Sequence, residues 1–301
     1  MRILLYLLTN LLVVLTISLV LSLLTAAGLL PPELPLLQLL VASFVWGLMG
    51  AWISLQLSAD SAKRMMGLQM LGPGGGATER WLFGTVAALA RKADLPMPEV
   101  AIYESPEWNA FATGPSRDRA LVAVSSGILE GMPPDELEAV LAHELSHVGN
   151  GDMVTMTLLQ GVINAFVMFL ARAVVVLLPR DSINGQRQAP PTALIWPLEI
   201  VLGLAGSLVT AAFSRHREFR ADAGAARLTG PEAMPAALRR LGQASVVFDR
   251  RDGGALNTLK ITAPRGWLAL FASHPPLEAR IEALVAAQRS GTATSLRLGT
   301  R

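Results

Sequence analysis

The chain has 301 residues, 52% hydrophobic and only 16% charged, with a mean hydropathy of +0.45; soluble proteins carry about 25% charged residues, so disorder and an ordinary soluble enzyme are both excluded. The formal net charge of +2 is close to balance and argues against a nucleic-acid partner. With no cysteine there can be no disulfide framework or thiolate metal site, which leaves His, Asp and Glu as the strong ligands.

The apolar residues are bunched into four runs, about Ile3 to Leu30, Leu36 to Leu57, Met153 to Leu178 and Thr192 to Phe213. About 20 such residues suffice to cross the hydrocarbon as a helix, so about four transmembrane helices are expected. A secretory signal ending near Thr25-Ala26-Ala27 is the alternative for the first run, but its apolar length far exceeds the usual ~7–15 residues. Pro31, Pro32 and Pro35 break the first run from the second, a connection short enough to require an antiparallel hairpin. Arg2, Lys63 and Arg64 flank the first hairpin, and Arg215, Arg217 and Arg220 follow the fourth run. Basic residues favour the cytoplasmic side, so both ends of the first hairpin and the end of the second are expected there, against Arg180 and Arg187 in the intervening loop. Arg172 and Glu199 interrupt the third and fourth runs; a snorkelling arginine and a glutamate paired inside the bundle account for them without a proton relay.

The expected organisation is a membrane hairpin (1–58), the first part of a catalytic domain (59–152), a second hairpin (153–213) and the second part of that domain (214–301). Leu71-Gly72-Pro73-Gly74-Gly75-Gly76 reads as a flexible linker. A helix is predicted over about Thr78 to Ala93, with Leu82, Val86 and Leu89 on one face. Two β-type runs, Glu99 to Tyr103 and Ala120 to Val124, flank Asn109-Ala110-Phe111-Ala112-Thr113-Gly114 and predict a small sheet. A further helix opens at Pro134-Asp135-Glu136, where a first-turn proline and acidic residues suit the helix start.

That helix carries His143-Glu144-Leu145-Ser146-His147. Residues four apart stack on one helical face, so both imidazoles can take adjacent corners of a metal tetrahedron. Glu144, a step around the helix, is placed to take a proton from attacking water. The alternative is a surface helix with a pH-sensitive His pair. The position ten residues after His143 is Met153, so a third ligand must come from elsewhere. The field is His216, His274 and the carboxylates, among them Glu218 and Asp222 at i, i+4 on the helix leaving the fourth run. One can ligate while the other accepts a hydrogen bond from a ligand imidazole, and spacing does not say which. A solvated face of Arg and Glu has the same spacing.

HELSHVGNGDMVTMTL, SRHREFRADAGAA, NAFATG and FASHPPLEARIEAL resemble the motifs of HtpX-type membrane zinc metallopeptidases, relatives of the CAAX prenyl proteases. The resemblance, with the apolar layout, covers nearly the whole chain. It implies an α+β, zincin-like (gluzincin) catalytic domain with a small antiparallel or mixed sheet. It further implies one Zn2+ per chain held by His143, His147 and Glu218, Glu144 as catalytic base, and Asp222 as the partner of a ligand. It implies a zinc endopeptidase of a bacterial inner membrane, acting in stress response and quality control on misfolded membrane proteins or unfolded polypeptides at the cytoplasmic face. Asn109, Ala110, Phe111, Ala112, Thr113 and Gly114 would form an edge strand that pairs with an extended substrate. His274 reads either as an oxyanion-stabilising residue or as a structural histidine opening the last helix; His216 reads as a surface residue. Four runs are too few for a prenyl-protein protease, which is one alternative; a membrane scaffold with a structural, four-ligand metal site is the other.

Overall fold

The computed structural model describes residues 36–178, 182–183, 186–187, 192–251, 272 and 274–290. The first apolar run lies outside these residues. Three described helices are long and apolar enough to cross a membrane, within Leu39–Met65, Asp152–Leu177 and Thr192–Thr229. The chain divides into two compact units, one within Met1–Ser54 and Met156–Thr210, the other within Leu55–Thr155 and Ala211–Arg301.

In the first unit, α1 (Leu36–Met65) packs through Leu36, Leu40 and Phe44 against Ala165, Phe169 and Ala173 of the apolar helix that begins at Asp152. Phe44 meets Phe166 edge-on, with ring centroids 5.4 Å apart. Small residues make the approach possible: a Cβ built on Gly161 would lie 2.6 Å from Ala51 Cβ, and one on Gly47 would lie 2.7 Å from the Gly161 carbonyl oxygen. Lipid offers apolar side chains as good a solvent as a neighbouring helix does, so close backbone packing holds such pairs together. Trp46, Trp52, Trp196 and Ile200 remain exposed, as side chains facing lipid would be. Arg172 and Glu199 pair with each other, Nη1 to Oε1 at 2.6 Å, and Arg172 also donates to the Met168 carbonyl. Each ionisable residue is therefore the other's partner. Gly161→Leu is expected to lower the melting temperature of the detergent-solubilised protein by several degrees through overpacking of roughly 1–3 kcal/mol. Gly50→Ala, at a position with open space around it, is the control and is expected to melt as the wild type does.

The second unit is built on a four-stranded mixed sheet. Its strands, in spatial order, are β1 (Gln69–Leu71), β2 (Glu99–Tyr103), β4 (Leu121–Ser125) and β3 (Ala110–Thr113). β2 and β4 run parallel, with Val100 opposite Val122, and β1 and β3 join them antiparallel at the two edges. The Gly-rich segment thus begins inside the sheet, since Leu71 ends β1; three residues are too few for an alternation to announce a strand. β4 is buried at every position, while β3 is half-buried throughout. α2 (Ala77–Lys92) and α4 (Pro134–Asn150) cover the sheet with Leu82, Val86 and Leu89 from the one and Leu137, Leu141 and Leu145 from the other, and the short α3 (Ser126–Gly131) follows β4 with Ile128 in the same core. Pro134 and the first-turn Asp135 and Glu136 start α4 as read from the sequence. α5 (Asp152–Leu177) and α6 (Ile195–Thr229) follow; α6 is one uninterrupted helix that includes the fourth apolar run from Ile195 onward and the SRHREFRADAGAA segment, with Thr192–Leu194 forming a 3-10 turn before it. α7 (Ala233–Arg251) and α8 (Leu277–Arg289) pack onto the core through Met234, Leu238 and Leu284.

Candidate active site

His143 and His147 stand one turn apart on α4, and Glu218 faces them from α6. One ligand atom from each of the three lies within 4.8 Å of the others. The two Nε2 atoms are 3.1 Å apart, His147 Nε2 is 3.3 Å from Glu218 Oε1, and His143 Nε2 is 3.5 Å from Glu218 Oε2. Ligands about 2.0–2.1 Å from one tetrahedral ion stand about 3.3 Å from each other. Glu218 is only 1% exposed, and its Oε1 has no hydrogen-bond partner among the described residues. Two facing imidazole nitrogens and a buried carboxylate oxygen that accepts no hydrogen bond among the described residues are a donor set that fits a divalent cation.

The helix crossing that brings Glu218 there is set by Ser146 and Gly224. A Cβ built on Gly224 would lie 2.7 Å from Ser146 Cβ, so only glycine lets α6 lie this close to α4. Ser146 donates its own hydroxyl to the Ala142 carbonyl and stays out of the metal pocket.

Asp222, one turn after Glu218, turns toward the other nitrogen of the first imidazole, with Oδ1 3.0 Å from His143 Nδ1. Arg280 of α8 grips Asp222 with two hydrogen bonds, Nε to Oδ2 at 2.8 Å and Nη2 to Oδ1 at 2.6 Å. Its Nη1 lies 3.7 Å from Glu218 Oε2. Asp152 occupies the matching place on the second imidazole, Oδ2 to His147 Nδ1 at 2.7 Å. Neither Arg280 nor Asp152 is singled out by sequence reasoning, although both lie inside quoted motifs. Asp152 follows the site helix directly, and that adjacency was the available signal.

Burial disfavours charge on both imidazoles, but the carboxylates facing them outweigh it. Asp152 and Glu218 raise His147 to about 9, and Asp222 and Glu218 raise His143. Glu218 is buried too, yet its contacts with His143, His147 and His274 hold it far below the usual carboxylate range. Asp222, likewise buried, is kept low by Arg280 and His143. The pocket is built to hold positive charge.

Glu144 stands outside the ligand group. Its Oε2 accepts a hydrogen bond from the Ala112 backbone N–H at 2.9 Å, which puts the carboxylate against β3. That strand is an edge of the sheet: Ala110 to Thr113 pair with β4 on one side only. Asn109 precedes it, its N–H held by Ser125 Oγ and its carbonyl by the Ser125 N–H, and Gly114 follows it with a φ of 136°. His274 Nδ1 lies 2.9 Å from Glu218 Oε2, on the same oxygen that faces His143, with its side chain largely exposed. His216 is exposed, as expected of a surface residue.

The model of peptidase family M48 matches residues 76–288, a stretch that contains His143, Glu144, His147, Asp152, Glu218, Asp222, His274 and Arg280. The chain belongs to peptidase family M48. Relatives of this M48 peptidase include the Protease HtpX of Shewanella pealeana, 46% identical over 298 residues, covering 94% of this chain and 98% of the relative. The Protease HtpX of Vibrio vulnificus is also 46% identical, over 288 residues, with the same coverage. Among solved structures, the crystal structure of S. mikatae Ste24p shares the fold, with a TM-score of 0.58 at 20% identity. That likeness covers 84% of this chain and 59% of the Ste24p chain, so the M48 peptidase spans about three fifths of that protein's length. The family, the apolar helices and the His-His-Glu group together describe a membrane metalloprotease with an α+β catalytic fold.

Proposed function

We propose that this chain is a zinc endopeptidase that cuts misfolded or damaged membrane proteins, and unfolded polypeptides, in segments exposed at the cytoplasmic face of a bacterial inner membrane. The observation that carries the reading is a buried three-donor metal group beside whose first ligand, on the same helix, a carboxylate is bonded to the free edge of a strand.

His143, His147 and Glu218 would hold the ion; two nitrogens and one carboxylate suit zinc, one per chain. When bound, the ion supplies Lewis acidity, polarising the scissile carbonyl and making water a nucleophile near neutral pH. An extended substrate pairs with the free side of Asn109 to Gly114 and is thereby laid beside the ligands, with recognition of backbone rather than side chains. Glu144 takes the proton from the attacking water and passes it to the departing amine. Its bond to Ala112 N–H keeps the carboxylate at the strand edge until substrate arrives. Asp222 orients the His143 imidazole through Nδ1. His274, within reach of the Glu218 carboxylate and open to solvent, would donate to the oxyanion in this reading. A structural metal would take a fourth protein ligand, and among the described residues three converge. Lys63, Arg64, Arg215, Arg217 and Arg220 flank the spans and support a cytoplasmic site.

The test is metal analysis and proteolysis of detergent-purified protein, wild type beside Glu144→Gln, with and without chelator. Wild type is expected to hold about one zinc and to lose activity on chelation, recovering it with zinc. Glu144→Gln is expected to hold zinc equally well and to cut an unfolded substrate about 10²–10⁴-fold more slowly, the usual contribution of a general base. Wild-type cutting rates in a folded, zinc-loaded Glu144→Gln protein would refute the mechanism.

A further inference from the structure

The two imidazoles of the metal group are each backed by a carboxylate, and each carboxylate by an arginine from another helix. On one arm His143 Nδ1 meets Asp222, which is gripped twice by the buried Arg280. On the other, His147 Nδ1 meets Asp152 Oδ2 at 2.7 Å, and Asp152 Oδ1 accepts from Arg220 Nη2 of α6 at 3.1 Å. Asp152 is 3% exposed, while the Arg220 side chain is half-exposed.

Local backbone geometry makes the second arm. α4 ends at Gly151, whose φ of 70° and ψ of 32° place it in the left-handed region, with its N–H returned to the His147 and Val148 carbonyls. This cap stops α4 and turns the chain back on itself, so that Asp152, five residues after His147, comes beside the ring instead of continuing around the helix. Asp152 is at the same time the first residue of α5, where an acidic side chain is favoured by the helix dipole.

We infer that Asp152, anchored by Arg220, is a positioning residue for the metal centre. Accepting the Nδ1 proton of His147 leaves the Nε2 lone pair directed into the group shared with His143 and Glu218, and the negative charge makes that nitrogen a better donor. The inference rests on the metallopeptidase reading above. The two arms differ in strength: Arg280 holds its carboxylate by a buried two-point contact, whereas Arg220 holds Asp152 by one bond at the surface.

The experiment measures zinc affinity of the full chain in detergent by competition with a fluorescent chelator, and the visible spectrum of the cobalt(II)-loaded protein. Asp152→Ala is expected to bind zinc about 10–100-fold more weakly, the usual cost of losing such a partner. Its cobalt bands shift, because His147 is no longer held in one orientation. Asp152→Asn, which keeps the shape but not the charge, is expected to fall between Asp152→Ala and wild type. Glu144→Gln is expected to bind zinc as wild type does. A lowered melting temperature with unchanged zinc affinity and an unchanged cobalt spectrum would reduce Asp152 to a structural residue and overturn the inference. If Asp152→Ala does not fold, Asp152→Asn decides, and wild-type affinity in that variant overturns it equally. A wild-type chain that binds no zinc would overturn the metallopeptidase reading itself, and this inference with it.

Discussion

Glu218→Ala is expected to lose its metal outright and, with it, all measurable peptidase activity. Glu218 is the anionic member of the ligand group and the sole one supplied by α6; without it two imidazoles remain, both on α4. The loss in affinity should lie well beyond the ~10–100-fold that follows when only the partner of a ligand is removed. The structure adds a second cost. Glu218 Oε2 also receives His274 and faces Arg280, so truncation leaves the Arg280 guanidinium with less negative charge around it in a buried setting. Glu218→Gln separates these effects: the amide fills the same space but is a poor zinc ligand, so it is expected to fold like wild type and still bind zinc far more weakly. Zinc content after dialysis, measured beside the melting temperature, checks both variants. Full zinc occupancy in Glu218→Gln would remove this residue from the ligand set.

Arg280→Met is expected to have the largest effect on stability. Arg280 is 6% exposed and Asp222 1%, and their two-point contact is the buried ion pair that ties α8 to α6. Removing one member of a buried pair leaves the other charge uncompensated, a cost of roughly 3–5 kcal/mol. In a domain of this size that is a fall of the order of 10 °C in melting temperature. Here the orphaned Asp222 would also sit beside Glu218, one turn away on the same helix, with the positive charge near both removed. Arg280→Lys keeps the charge without the planar fork and is expected to recover only part of the loss. The double variant Arg280→Met with Asp222→Leu, which removes both charges, should melt higher than Arg280→Met alone, because no unpaired charge remains buried. Equal melting of the single variant and wild type would show that the pair contributes nothing.

Much of the site was legible in the chain because its parts are local. The His143–His147 pair depends only on the helical repeat of α4, which Pro134 and its acidic neighbours start and an apolar face sustains. Glu218 and Asp222 form a second i, i+4 pair for the same reason. Their roles could not be divided by spacing, since one turn of helix presents both toward α4. What separates them is where the two helices cross, at Ser146 and Gly224: there Glu218 meets the two Nε2 atoms and Asp222 meets Nδ1 of His143. A Gly in a helix reads from sequence as a weak helix former; its use as the contact point appears only when the other helix is in place.

By itself, then, the sequence determined many of the elements and the chemistry available to them: apolar runs of membrane length, a turn-spaced His pair, two acidic residues a turn apart on the helix leaving the fourth run, and the start of the helix that carries the His pair. These follow from forces between near neighbours, namely backbone periodicity, caps and the burial of one face. Tertiary structure alone decided the parallel pairing of β2 with β4 and the three-residue strand β1. It alone also paired Arg172 with Glu199 across 27 residues, brought Arg280 to Asp222 across 58, and returned Asp152 to His147 through the left-handed turn at Gly151. Each of these depends on which surfaces meet when whole helices and strands pack. A buried charge has no partner marked in its own neighbourhood; the partner is whichever opposite charge the packing delivers.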